Sequence, residues 1–143
     1  MSERSLESEV DDLVRDAWGP NLPGIGVDVE HHARWRAGDE RLTSLFTEAE
    51  MDRCRNMADL PAQMAGTWCA KEAAVKAIAA HVTLSLRDVE VVRDDLGRPG
   101  IRVLPGELQR HGDRLRVSIS RTEELSMAVA VYLPGGPQGV NGS

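Results

Sequence analysis

The segment LPAQMAGTWCAKEAAVKAIAAH, Leu60 to His81, is the longest helical pattern in the chain. At about 100° per residue, Leu60, Met64, Trp68, Val75, Ile78 and Val82 form one apolar stripe. Lys71 falls inside that stripe, Glu72 stands at its edge, and Lys76 follows one turn further along. Asp59 is placed to cap the helix, with Pro61 tolerated in its first turn. Charge beside a core is costly unless it is paired or bound to something, so the stripe points to a polar site that the helix faces. The plainer alternatives are a surface ion pair between Glu72 and Lys76, worth about 0.2–0.5 kcal/mol, and a Lys71 that lays its stem on the core with its head in water. The alanines Ala70, Ala73, Ala74 and Ala77 leave room for another backbone to pack closely.

Composition sharpens this reading. Of the 17 basic residues, all but Lys71 and Lys76 are arginine, so both exceptions fall in this one helix. An ammonium is a compact charge whose pKa shifts readily, whereas a guanidinium is planar and permanently charged. The chain has 143 residues, enough for one domain with a real core. Its net charge of −6 and its 3% aromatic content disfavour sequence-independent duplex binding and base-stacking platforms, so no nucleic-acid partner is expected. No apolar run approaches the roughly 20 residues that span a bilayer, and the acidic start MSERSLESEVDD lacks a signal-peptide layout. A cytoplasmic protein with no membrane partner is expected. Cys54 and Cys69 belong to no metal-binding pattern and read as free thiols.

Outward from the helix, Leu6, Val10, Leu13 and Val14 predict a short amphipathic helix over residues 3–17, ended by Gly19-Pro20. GIGVDVE, Gly24 to Glu30, alternates as a strand, with Ile25, Val27 and Val29 on one side and Gly24, Gly26, Asp28 and Glu30 on the other. Thr47-Glu48-Ala49-Glu50 has the spacing of a capping box, with a helix running to about Arg55. Residues 88–93 and 101–104 read as strands joined by the turn DDLGRP, and residues 114–121 and 125–133 as a closing antiparallel pair. Helices and strands do not alternate regularly. The fold class is α+β, a mainly antiparallel sheet packed with one long helix. Residues 1–22 form a helical appendage, 23–133 the main domain and 134–143 a flexible tail.

Asp28 and Glu30 share a strand face with their backbones roughly 7 Å apart. Two anions so placed suit a hard cation such as magnesium, although a half-exposed strand with a polar outer face would show the same pattern. The two glycines before them keep that face bare for something bulky to approach. Ser118 and Ser120 share another strand face, and Arg121 follows; hydroxyls beside a guanidinium suit phosphate, and an ordinary half-buried strand fits as well. Arg34, Arg36 and Arg41 form a positive patch that suits an acidic partner or a solvated face. His31, His32, His81 and His111 have no ligand spacing and read as surface residues.

The succession GIGVDVE, LFTEAE, WCAKEAAVKA, DVEVVRDDLGRPGIRV and SISR followed by AVAV resembles the 4′-phosphopantetheinyl transferases, most of all the short holo-acyl-carrier-protein synthase branch. The likeness runs from about Gly24 to Tyr132, which makes residues 23–133 the transferase domain. It implies that magnesium on the pyrophosphate of coenzyme A is held by Asp28 and Glu72. It implies further that a carrier-protein serine attacks the β-phosphate and that adenosine 3′,5′-bisphosphate leaves. On matching positions Glu72, Lys76 and Asp28 are catalytic, and Lys71, Lys76, Ser120 and Arg121 bind coenzyme A. The arginine patch would dock an acidic acyl carrier protein, and a homotrimer with its sites between subunits is implied.

Four positions depart from the short branch, one of them Trp68, where that branch prefers phenylalanine. His31 stands where it has glutamate, Glu30 instead matches the double-length transferases as a third metal ligand, and Arg121 replaces a histidine. Two other readings fit the residues: a non-catalytic carrier-docking module of the same fold, and a metal-dependent nucleotide pyrophosphatase.

Overall fold

The computed structural model describes residues 5–18, 21–36, 38 and 40–135. Gly19-Pro20 and most of the tail assigned to residues 134–143 lie outside the described residues. The chain runs α1 (Leu6–Trp18), β1 (Gly24–His31), α2 (His32–Arg36), α3 (Glu40–Thr43), α4 (Glu48–Arg55), α5 (Leu60–Ile78), β2 (Val89–Arg93), β3 (Pro99–Val103), β4 (Leu115–Arg121) and β5 (Leu125–Tyr132). Three antiparallel strands in the order β1-β5-β4 form one sheet, and β2 and β3 form a separate hairpin. This is the expected α+β class, with α5 as its central helix.

Local chemistry explains where α4 and α5 begin. Thr47 accepts from the Glu50 backbone N–H at 3.2 Å while the Glu50 carboxylate accepts from the Thr47 N–H at 2.8 Å, closing the capping box. Asp59 caps α5 by accepting from the Ala62 N–H at 3.3 Å, with Pro61 in the first turn. The helix ends at Ile78, three residues short of the predicted His81, and a turn follows. It is buried on nearly every side: alanines 70, 73, 74 and 77 with Ile78 join the strands in one core. Met64, Ala65 and Trp68 join Trp35, Leu42 and Phe46 in a second.

The strand β1 is turned the opposite way from the usual rule of apolar residues inward. Gly24, Gly26, Asp28 and Glu30 face α5, while Ile25, Val27 and Val29 face outward at 70, 46 and 50% exposure. The cause is the closeness of the helix. A Cβ on Gly24 would overlap the Ala77 carbonyl oxygen, and one on Gly26 that of Ala73. The bulky body admitted by the bare glycine face is therefore α5 of the same chain, and the polar face is the inner one.

One further expectation is corrected, that the histidines are surface residues. Among the four histidines, His32 and His111 are buried. His32 lies with Nε2 at 2.8 Å from Ser126 Oγ and Nδ1 at 3.1 Å from the Glu123 carbonyl oxygen, and His111 Nδ1 is 2.7 Å from the Tyr132 hydroxyl. His81 Nε2 meets the Leu22 carbonyl oxygen at 2.8 Å. These rings fill polar gaps created by tertiary packing, which spacing along the chain does not reveal. Cys54 and Cys69 are both free and both buried. No helix among the described residues is long and apolar enough to cross a membrane.

Candidate active site

Asp28 projects from the inner face of β1 and meets Lys76 from α5. The Lys76 ammonium donates to Asp28 Oδ1 and to the Val27 carbonyl oxygen, both at 3.1 Å. The second carboxylate oxygen, Asp28 Oδ2, is buried and has no hydrogen-bond partner among the described residues. A buried, unpartnered anionic oxygen is costly unless something absent from the chain completes it. Glu72 lies one turn before Lys76 on the same helix. Burial lifts its carboxyl above the ordinary glutamate range, with the Asp28 charge adding to the rise and Lys76 opposing it. The Cys69 thiol beneath is likewise raised, by burial first and then by Asp28 and Glu30. Asp28, Glu30 and Glu72 thus gather three negative charges against Lys76 and Arg34, and the surplus is negative.

Among the described residues, no three His, Cys, Asp or Glu side chains stand close enough to hold a metal among them. Glu30, expected as a third ligand, instead accepts from Arg34 Nη1 at 2.7 Å. Asp28 and Glu72 remain as a pair. That suits magnesium, which keeps several waters and takes one or two carboxylates alongside substrate phosphates.

Lys71 is elsewhere. It is fully buried, donating to Glu50 Oε1 at 2.7 Å and to the Val89 carbonyl oxygen at 2.8 Å. Glu50 in turn accepts from the Val91 N–H at 2.7 Å. The ammonium that was expected on coenzyme A is thus the centre of an interior clip joining α4, α5 and β2, out of reach of a phosphate arriving from solvent.

Ser120 and Arg121 do not meet Asp28 within one chain. Asp28 is opposite Ala128, which is opposite Ile119, so Ser120 points to the other face of the sheet. At the β4 edge, on the α5 side of the sheet, Ser120 and Arg121 also border a cavity of about 150 Å³ with Arg93, Gln63, Gly66 and Ile119. Arg93 continues into a larger cleft of about 350 Å³ with Arg53, Met57, Gln63 and Gly97. Burial and then the Arg53 charge lower the Arg93 pKa. The sequence reading missed Arg53 and Arg93. Arg93 sits at the strand end just before the DDLGRP turn, but nothing in its spacing marks it. Of the arginine patch, Arg34 is committed to Glu30, and Arg36 and Arg41 are exposed.

Comparison with known proteins gives the family. The family model of the 4′-phosphopantetheinyl transferase superfamily matches residues 24–130, and the chain belongs to that superfamily. Within it, the chain is similar to the holo-[acyl-carrier-protein] synthase of Chlorobaculum tepidum, 32% identical over 117 residues covering 77% of this chain and 97% of that protein. It is also similar to the fatty acid synthase subunit alpha of Lachancea kluyveri, 32% identical over 137 residues, which is 90% of this chain but only 7% of that protein. Among solved structures it superposes on a holo-(acyl-carrier-protein) synthase from Bacillus anthracis in complex with CoA (3′,5′-ADP), with a TM-score of 0.63 and 28% identity, covering 77% of this chain and 95% of that one.

Proposed function

We propose that the chain transfers the 4′-phosphopantetheine group of coenzyme A to a serine of an apo acyl carrier protein, with magnesium, releasing adenosine 3′,5′-bisphosphate. The observation that carries this reading is the buried, unpartnered Asp28 Oδ2 beside Glu72 and Lys76. Family membership and the coenzyme A named with a similar structure support the substrate.

Asp28 and Glu72 would hold the metal, which when bound polarises the pyrophosphate and neutralises charge on the leaving group. Lys76 is half exposed and reaches the same carboxylate, so its ammonium lies where phosphate oxygens would gather charge. Glu72 is the candidate to take the proton of the carrier serine. The serine oxygen then bonds to the β-phosphorus as the bond to adenosine 3′,5′-bisphosphate breaks, with the proton left on Glu72.

The basic cleft of Arg53, Arg93 and Arg121 with Ser120 is the counterpart for the remaining phosphate of coenzyme A. Because this cleft lies by β4, across β5 from Asp28 on the other edge strand, a complete site would take its two halves from two copies. The outward strip of Ile25, Val27, Val29 and Met127, 41–70% exposed, is the surface that neighbouring copies would cover, consistent with a homotrimer. The patch of Arg34, Arg36 and Arg41 would meet an acidic carrier protein, and a cytoplasmic location belongs to the same reading.

Intact-mass measurement of an apo carrier protein after incubation with this chain, coenzyme A and magnesium tests the proposal. One added phosphopantetheine, abolished by chelation, is the expected result. Coenzyme A binding without transfer to any of several carriers would overturn it in favour of a docking module, and carrier-independent cleavage in favour of a pyrophosphatase.

A further inference from the structure

Glu30 stands two residues after Asp28 on the inner face of β1, where a carboxylate would be free to turn toward a cation held by Asp28. It is engaged instead. Its side chain is only 11% exposed and is bonded at 2.7 Å to Arg34, one helical turn into the chain that follows the strand. Arg34 is itself held from the other side: its guanidinium carbon lies 5.9 Å from the centre of the Trp68 ring. Trp68 is fixed in turn by Trp35 at 5.5 Å and Phe46 at 6.4 Å. A packed aromatic cluster therefore supports the cation that fixes the carboxylate.

We propose that Arg34 is a positioning residue that withholds Glu30 from the metal, so that Asp28 and Glu72 are the only carboxylates of the chain that hold it. This rests on the metal-dependent reading above. The physical basis is a competition for one anion. A charge-assisted bond to a largely desolvated carboxylate is among the stronger hydrogen bonds in proteins, and a guanidinium stacked on an indole is pre-organised to make it. An ion that already has Asp28, Glu72, phosphate oxygens and water gains little by breaking that bond. The negative charge of Glu30 is thereby neutralised without being spent on coordination, and a coordination position stays open for substrate oxygen.

The test is a double-substitution cycle read by manganese binding, in calorimetry or electron paramagnetic resonance, with no substrate present. Glu30→Gln alone is expected to change the dissociation constant less than about threefold, because Glu30 is not a ligand. Arg34→Leu is expected to tighten binding about tenfold, because it releases Glu30 to the ion, and Glu30→Gln in the Arg34→Leu background is expected to remove that gain. A weakening of about tenfold or more in Glu30→Gln alone would show that Glu30 already coordinates and would overturn the inference. So would a gain from Arg34→Leu that persists undiminished beside Glu30→Gln, which would be the mere loss of a positive charge. Arg34→Gln serves in the same cycle where the leucine variant does not fold. A wild-type chain that binds no manganese overturns the metal reading itself, and this inference with it.

Discussion

Lys71 and Lys76 lie little more than one turn apart on α5, and the chain has no other lysine, yet they have opposite surroundings. Lys71 is fully buried, its ammonium satisfied by Glu50 and a backbone carbonyl. Lys76 is half exposed and shares a carboxylate whose other oxygen has no hydrogen-bond partner among the described residues. One cluster is closed and complete. The other is polar, accessible and unfinished. Incompleteness, more than charge, distinguishes a working site from a structural one, since both clusters contain an ion pair on the same helix. Burial lowers the Lys71 pKa, while Glu50 and then Glu90 oppose that shift.

The contrast predicts crossed phenotypes for one chemical change. Lys76→Met should lower phosphopantetheine transfer by about 10²–10³-fold, the scale of removing one charge-stabilising donor, while shifting stability by less than about 1 kcal/mol, because the pair is half exposed. Lys71→Met should do the reverse. Leaving Glu50 buried without its cation should cost about 3–5 kcal/mol in chemical denaturation, while the protein that remains folded turns over near the wild-type rate. Turnover by intact mass and urea melts on both variants decide the matter. A stable but inactive Lys71→Met variant would return Lys71 to the coenzyme A site and erase the distinction.

The same contrast extends to histidine. His32 belongs to the closed part of the molecule, packed at 1% exposure against Ser126. His32→Ala should destabilise the chain by about 1–3 kcal/mol through an unpaired Ser126 hydroxyl and a small void, with turnover per folded molecule unchanged. Loss of turnover without loss of stability would instead move the His32–Ser126 pair into the chemistry.

What sequence could reveal follows the same division. The Thr47–Glu50 capping box, the hairpin across DDLGRP and the placement of Lys71 inside an apolar stripe rest on local spacing, and the structure has all three. A strand face and one helix face are enough to nominate Asp28, Glu72 and Lys76, and the structure brings the three together. The orientation of β1 was not legible in this way. Alternation gives two faces but not which one is inside, and here close packing of Gly24 and Gly26 on alanine backbone outweighs the apolarity of Ile25, Val27 and Val29. The partner of Lys71 was equally hidden. Glu50 was identified as a cap, and its second role appears only when β2 folds over it and supplies the Val91 N–H. Arg53 and Arg93 come from distant elements to one cleft, and no periodicity joins them.

The smallest predicted effect bears most directly on incompleteness. In the metal-free chain the Glu72 carboxyl is raised above its ordinary 4.5 by burial and by the Asp28 charge. A carboxyl whose folded pKa exceeds its unfolded one binds protons more tightly when folded. Its contribution to stability is fully present below the unfolded pKa and is lost as pH rises through the folded one. Near neutral pH the ionised Glu72 therefore costs stability, and Glu72→Gln, which removes the charge while keeping the shape, should raise the melting temperature. The gain should disappear below about pH 4, where the wild-type carboxyl is protonated in both states. Partial exposure of the group keeps the effect below about 1 kcal/mol, and the variant should at the same time lose about 10²-fold or more in transfer. Melting curves of both proteins between pH 4 and pH 8, in chelator, measure the difference. A variant less stable than wild type at neutral pH would mean that the carboxylate is already satisfied within the chain, and that the cluster around Asp28 is as closed as the one around Lys71.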